Sequence, residues 1–462
     1  MKSIAFLSIA HCMLYFEKSK VLQGLRIDGL SFPQKKSYCN GGDFLVKYSF
    51  MNIALFTDSF LPTKSGIVTV VLQLQRILVA MGHNVVIVTT DTHDKYIEEK
   101  FSDKSNILRM KSFSSAFFGV PDQFISIVDK KRLIAFLKEH NVEFIHSHTE
   151  FSIGQAAKFA SKELGIPAIA TTHTLWEDFY KYYLWGGKFI PVKLIRRIVR
   201  WMYRDFYALI NVSQKAHEYF KQPFMLPQSP SAIIPNALDS DTFLRHTISE
   251  EKIQAAREKW GIKKGDVVFL FLGRVVYEKR VEELLDICLR VIQKNEHIKI
   301  LFVGDGLALQ GLKKKSAKFF DRIIFTGYVP WRDVHSFYQL GDVYVTASLS
   351  EMHSMTVLEA LMSGLPVVVR YDTSFSDTVF HGENGYFAQS DEEMDGYLLE
   401  LAADEEKRKA FGKRSLEISK TFSLEMFGRR TMAFYEKVFN TFPSGISDAD
   451  LQKAVDAVEV EK

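Results

Sequence analysis

From Met51 onward, short apolar runs alternate with longer stretches in which apolar residues recur at helical spacing. Asn52–Thr57 predicts a strand, and Ser65 to Met81 an amphipathic helix with Val68, Val71, Leu72, Leu78 and Val79 on one face, ended by Gly82. His83–Thr90 and Phe144–His148 predict further strands, followed by a helix through Leu164 and the strands Ala168–Thr172, Leu209–Val212 and Ala232–Ile234. A second set begins at Val267, with strands over Val267–Leu272, Ile300–Val303, Ile323–Thr326, Val343–Thr346 and Pro366–Val369. Strand–helix alternation of this kind is the signal for βαβ units and a parallel sheet. The polar segment Pro235–Glu250 between the two sets is the expected linker.

The fold class is therefore α/β, with two Rossmann-like domains facing each other across a cleft. A chain of 462 residues exceeds one ordinary core, in agreement with two domains. Hydrophobic content of 47% and charged content of 25% are those of a soluble globular protein. A net charge of +4 carries no global polyanion-binding signature, so no nucleic-acid partner is expected. Cys12, Cys39 and Cys288 match no metal-ligand spacing and fit a reducing cytosol. No run of about 18 uncharged apolar residues exists, so no spanning helix is predicted. Met1 to Phe16 imitates a signal peptide, but His11 interrupts it and no small-residue cleavage site follows. Residues 17–50 lack periodicity, and residues 1–50 are expected to lie outside the fold.

The most specific motif is SLSEMHSMTVLEALMSGLPVV, residues 348–368, in which a strand leads through a polar loop into a helix starting near Met355–Thr356. Free backbone amides and the positive end of the helix dipole suit anionic oxygens there. Glu359, one turn inside, is placed to accept from vicinal hydroxyls such as those of a ribose, and Glu351, at the mouth, from sugar hydroxyls. An isolated Glu-x7-Glu would read as two surface residues. Strand, loop, helix and turn arriving together weaken that alternative. FLGRVVYEKRVEELL, residues 271–285, sets Arg274 and Lys279 at a strand-to-helix crossing, where two cations suit a diphosphate or merely decorate a loop. Val303–Gly304–Asp305–Gly306 is a glycine turn at a strand end, weak as evidence alone.

The 348–368 segment resembles the signature of retaining glycosyltransferase family 4, the glycosyl transferases group 1. This resemblance covers roughly residues 51–440 and implies the GT-B fold. Family members usually carry glycine where this chain has Ser354, and proline where it has Leu307. By resemblance, Arg274 and Lys279 contact the phosphates of a nucleotide-sugar donor. Glu351, His353, Ser354, Met355, Thr356 and Glu359 make up the rest of the donor site, with Gly66 from the Ser65–Gly66 loop of the first domain. His173, in ATTHTLWEDFYKYY, falls where the family carries a histidine near the reacting carbon. Its implied role is sugar binding, and catalysis through orientation or transition-state charge. His173, Arg274, Lys279 and Glu351 are thus the candidate catalytic residues. HTEFSIG (148–154) and the stretch from His173 to Asp178 are similar to the bacterial diacylglycerol glucosyltransferases of this family.

The resemblance implies transfer of a hexose from a nucleotide sugar, UDP-glucose or UDP-galactose, to a membrane lipid such as diacylglycerol with an α-linked product. The donor is a co-substrate; no cofactor and no metal are expected, because no Asp-x-Asp motif stands out. Alternatives are a polysaccharide, lipopolysaccharide or polyprenyl-linked acceptor, or a non-catalytic nucleotide-binding scaffold. Lys188 to Asp205 is a basic amphipathic stretch in which Lys193, Arg197, Arg200 and Arg204 share one helical face beside Arg196, with Trp185 and Trp201 as interface aromatics. It reads either as a docking surface for an anionic membrane or as a helix with a solvated basic face. The docking reading places the protein in the cytoplasm, peripheral on the inner face of the cell membrane. Expected boundaries are 51–240 for the acceptor domain, 241–423 for the donor domain, a helix 424–440 returning to the first domain, and a tail 441–462.

Overall fold

A computed structural model of the chain describes residues 49–61, 63, 65–91, 106–114, 124–183, 190–244 and 247–458. All but Ser49 and Phe50 of the N-terminal extension therefore lies outside the described residues, as do Cys12, Cys39 and Trp185. Ser49 donates its backbone N–H to Glu436 at 2.7 Å, on the helix Leu424–Thr441.

Fifteen strands, β1–β15, are described: Asn52–Thr57, Asn84–Thr90, Ile107–Met110, Ser112–Ser114, Phe124–Ser126, Phe144–Ser147, Ala168–Thr172, Ala208–Asn211, Ser231–Ile233, Val267–Leu272, Ile298–Val303, Ile323–Phe325, Val343–Thr346, Val367–Arg370 and Gly385–Ala388. Seven form a parallel sheet in the order β3-β2-β1-β6-β7-β8-β9, and six a second parallel sheet in the order β12-β11-β10-β13-β14-β15. β4 and β5 pair separately and antiparallel. Helices cover both faces of each large sheet, so strands such as β10 are buried at every position. That is why they read as unbroken apolar runs. β3, β4, β5 and β15, each three or four residues long, were not predicted.

The first helix spans Gly66–Ala80 and buries Val68, Val70, Val71, Leu74, Ile77 and Leu78. Val79, assigned to its apolar face from the sequence, is 52% exposed. The buried stripe is centred on Leu74 instead, since a further helix packs across it. Leu424–Thr441 returns to the first domain and packs on this helix, with Gly428 so close that an added Cβ would stand 2.5 Å from Ile77. Asp448–Asp456 then lies against β9, burying Leu451 and Val455. Residues 441–458 thus pack as part of the fold rather than as a simple tail, because a large side chain buried there contributes about 1.5–3 kcal/mol. The chain crosses between sheets twice, side by side, where Leu238 N–H bonds the Phe422 carbonyl at 3.2 Å.

Candidate active site

In the second sheet the strand order reverses between β10 and β13. At such a switch point the loops leaving the two strands diverge and open a crevice beyond their carboxyl ends. The β10 loop carries Arg274 and the turn Tyr277–Lys279; the β13 loop carries residues 348–354 and enters the helix Met355–Met362. Topology thereby unites Lys279 and Glu351, 72 residues apart, in an ion pair whose side chains are 18% and 14% exposed. Burial alone would raise the Glu351 carboxyl. The Lys279 ammonium and its hydrogen bond, Ser348 and Arg274 together hold it below the usual range. Arg274 also pairs with Glu278 at 3.1 Å.

Glu359 lies one turn into the helix and is buried. Tyr338, which sequence reasoning missed, donates its hydroxyl to Glu359 Oε2 at 2.7 Å. No cation pairs with Glu359 among the described residues, and burial pushes its carboxyl up to about 7. Ser354 is the N-cap but makes no side-chain capping bond, so the first-turn amides of the helix face the crevice without a side-chain acceptor. Its hydroxyl instead meets Thr356 at 3.1 Å, and Thr356 meets the Tyr344 hydroxyl at 2.7 Å. His353 turns to Asp377, 3.1 Å from Nε2.

The glycine turn after β11 carries more structural weight than its sequence implied. Gly304 and Gly306 have φ of +135° and +157°, and a Cβ on Gly304 would stand 1.9 Å from the Gly273 carbonyl oxygen. The turn must therefore stack directly on the loop that carries Arg274. Gly304→Ala is expected to cost more than about 1 kcal/mol of stability, because a strained φ and a backbone clash coincide. Thermal unfolding checks this: an unchanged melting temperature would contradict the close-approach account.

In the first sheet the switch lies between β1 and β6. Asp58, after β1, accepts from Thr149 at 2.6 Å, Ser152 at 2.7 Å and the Ile153 amide at 2.8 Å, tying the two strand-end loops together. Gly66 opens the first helix, where Ser65 caps the Val68 amide at 3.3 Å. An added Cβ on Gly66 would meet nothing within 4 Å, so the chain itself does not require glycine there.

His173 follows β7, its Nε2 lying 3.2 Å from His148 Nδ1. The His148 ring lies 4.0 Å from that of His146, which bonds Tyr435 at 2.5 Å and Thr171 at 2.6 Å. Burial pushes His173 down to about 4, and His146 and His148 well below their ordinary value. All three are neutral at pH 7, so His173 offers a hydrogen bond rather than a positive charge. Of the two roles expected from the sequence, orientation is the one this environment supports. Leu175, two residues on, clusters with Met352, which sets this segment opposite the loop of Glu351.

The basic helix spans Val192–Tyr203. Lys193, Arg197, Arg200 and Arg204 are exposed, with Leu194 39% exposed beside them. Arg196 and Trp201 do not join that face, and Arg204 lies just past the helix end in extended backbone, 3.5 Å from Asp205. Arg196 donates to both Glu177 oxygens, at 2.6 and 2.8 Å, and lies 3.9 Å above the Phe224 ring. Trp201 packs against the domain core, with Lys158 Nζ 5.3 Å above its ring. The cause is geometric: adjacent helical residues point about 100° apart, so Arg196 faces the neighbouring helix Trp176–Tyr183 while Arg197 faces solvent. A second inward carboxylate, Glu150, is bound by Trp176 and by Tyr203 at 3.1 Å, and burial pushes it up to about 7. Among the described residues no cluster of three or more His, Cys, Asp or Glu side chains could hold a metal ion. No described helix is long and apolar enough to cross a membrane.

Comparison with known proteins matches residues 64–242 to the family "Glycosyltransferase Family 4" and residues 252–417 to "Glycosyl transferases group 1". The chain is 29% identical over 389 residues to an alpha-monoglucosyldiacylglycerol synthase of Streptococcus pneumoniae, covering 83% of this chain and 85% of that one. It is 26% identical to the protein of the same name from Acholeplasma laidlawii, covering 83% and 96%. Among solved structures, the Anabaena protein HepE in complex with UDP superposes with a TM-score of 0.66 at 16% identity, covering 84% of this chain and 100% of HepE.

Proposed function

The chain belongs to glycosyltransferase family 4 and is a hexosyltransferase of the GT-B fold, and we propose that it moves glucose or galactose from UDP onto a membrane lipid, diacylglycerol, with retention. The observation that carries this reading is the coincidence of the Lys279–Glu351–Glu359 crevice with relatives named alpha-monoglucosyldiacylglycerol synthase over 83% of the chain. The HepE complex with UDP supports a uridine nucleotide as donor.

In the proposed reaction Arg274, Lys279 and the first amides of Met355–Met362 receive the diphosphate. The ribose hydroxyls donate to Glu359 in its ionised form. Lys279 exchanges Glu351 for the β-phosphate, which frees Glu351 to hold sugar hydroxyls together with neutral His173. Charge grows on the leaving diphosphate as the glycosidic bond stretches, and cations already aimed at it need no reorganisation. Glu351 stays a hydrogen-bond acceptor rather than a nucleophile, and no other motif carboxylate stands ready for double displacement. Departing phosphate takes the acceptor proton on the same face, leaving an α-linkage. The cations and amides carry the leaving-group charge without a metal.

Docking falls to the face formed by Lys193, Arg197, Arg200 and Arg204 with Leu194, and holds the enzyme on the inner, anionic leaflet. Each cation near such a surface contributes about 1 kcal/mol. Replacing Lys193, Arg197 and Arg200 by alanine is therefore expected to weaken partitioning onto phosphatidylserine or phosphatidylglycerol vesicles by about a hundredfold. Co-sedimentation measures it, and unchanged binding would remove this face from the account. Transfer itself is tested by following radiolabelled sugar from UDP-glucose and UDP-galactose into the organic phase with diacylglycerol vesicles. Label that remains in the aqueous phase for both donors refutes a lipid acceptor.

A further inference from the structure

We propose that Lys215 is a positioning residue for the Glu351 loop, acting on it from the opposite domain. It sits on the helix Gln214–Phe220 of the first domain, which Ser213 caps through the Ala216 amide at 3.2 Å. Its Nζ donates to the Leu349 carbonyl at 2.6 Å and to Asp372 at 2.8 Å, both in the second domain; Asp178 of its own domain lies 4.0 Å away. The Lys215 and Asp372 side chains are only 15% and 12% exposed, so this is a largely desolvated contact rather than a rim ion pair. Next to it, Met352 inserts among Leu175, Val212 and Ala216 of the first domain. Glu351 is thus bracketed at 349 and 352 by residues that the other domain grips.

The loop has weak means of its own. The serine bonds at its start, Ser348 to Thr346 at 3.2 Å and Ser348 to Ser350 at 3.3 and 3.4 Å, are long, and within the second domain its firmer contacts are side-chain ones, Glu351 with Lys279 and Ser348 and His353 with Asp377. Asp372 is itself held in place, because its other oxygen accepts from the Ser374 amide at 2.9 Å. Lys215 therefore ties the loop after β13 to the loop after β14. Separation of the domains removes the charge-assisted cap and the Met352 contact in one step, so loop order and domain approach are a single event. By linkage, a donor that orders the loop draws the domains together to the same extent.

The loop's part in donor binding rests on the function proposed above; the anchoring does not. The test therefore reads both, on the full chain, with Lys215→Met, Lys215→Arg and Asp372→Asn. Methionine keeps most of the aliphatic stem and its packing while losing the cation. Hydrogen–deuterium exchange is expected to rise about tenfold in the peptide covering residues 348–354 in Lys215→Met, without a matching fall in melting temperature. The KM for UDP-glucose is expected to rise about tenfold with kcat changed less than about twofold, and Lys215→Arg to restore most of it. Combining Lys215→Met with Asp372→Asn should add little, since the two partners share one interaction. Unchanged exchange over 348–354 overturns the anchoring. Faster exchange with an unchanged KM overturns the positioning role. A wild type that orders this loop through Lys215 yet uses neither UDP-glucose nor UDP-galactose refutes the assigned donor class and leaves the anchoring standing.

Discussion

Lys279→Ala is expected to lower kcat/KM for the nucleotide sugar by about 10²–10³, the range for removing one preorganised group from a developing anion. Two effects combine in this variant. The diphosphate loses the cation aimed at it, and Glu351 loses the partner that keeps its buried carboxyl ionised. The Glu351 carboxyl then moves upward, because burial remains and the ammonium is gone. Removing one member of a largely buried pair destabilises more than removing both. The double variant Lys279→Ala/Glu351→Gln should therefore regain melting temperature without regaining turnover. Steady-state kinetics and thermal unfolding of the two variants separate the catalytic loss from the structural one. A fall in kcat/KM below about fivefold would show that the phosphates lie elsewhere.

Glu359→Gln carries the second large effect, and pH reveals it. Burial raises the Glu359 carboxyl to about 7 from an ordinary 4.5. Ribose hydroxyls need the ionised form as acceptor, so UDP-glucose affinity should rise about tenfold per pH unit below about 7 and level off above it. In Glu359→Gln that slope disappears and affinity at pH 8 falls about tenfold to a hundredfold. The stability sign is the opposite. A folded-state value above the unfolded one contributes stability fully present below about 4.5 and lost as pH rises through about 7. At pH 8 the empty Gln variant should therefore be the more stable protein by on the order of 2–3 kcal/mol, while binding donor less well. Calorimetric titration and melting curves across pH 5–9 check both signs. A wild-type affinity that is flat with pH would remove Glu359 from the ribose.

Strands buried on both faces, such as Asn52–Thr57 and Val267–Leu272, were legible because a parallel sheet covered by helices leaves no polar alternation to confuse the pattern. The donor motifs were legible for a related reason. Glu351 and Glu359 lie on one continuous loop and helix, so their spacing in sequence is their spacing in space. Tyr338 against Glu359, His148 against His173 and Lys215 against Leu349 were not legible. Each pair meets through strand order or domain approach, which spacing does not encode. Arg196 shows the same limit on a helix. Periodicity told which residues share a face, but not that Glu177 stands opposite one of them. The segment Asp448–Asp456 looked like a tail because only Leu451 and Val455 are buried in it, too few to stand out from a polar background.

The central claim is that the crevice holding Lys279, Glu351 and Glu359 delivers a hexose to diacylglycerol at an anionic surface. It is tested most directly by incubating the full chain with UDP-glucose, UDP-galactose and vesicles of diacylglycerol with phosphatidylglycerol, then taking the mass and anomeric NMR spectrum of the extracted lipid. The account predicts one hexosyl-diacylglycerol with an α-anomeric proton, formed from one of the two donors and missing with Lys279→Ala. A β-linked product, or free hexose with unmodified lipid from both donors, would contradict it.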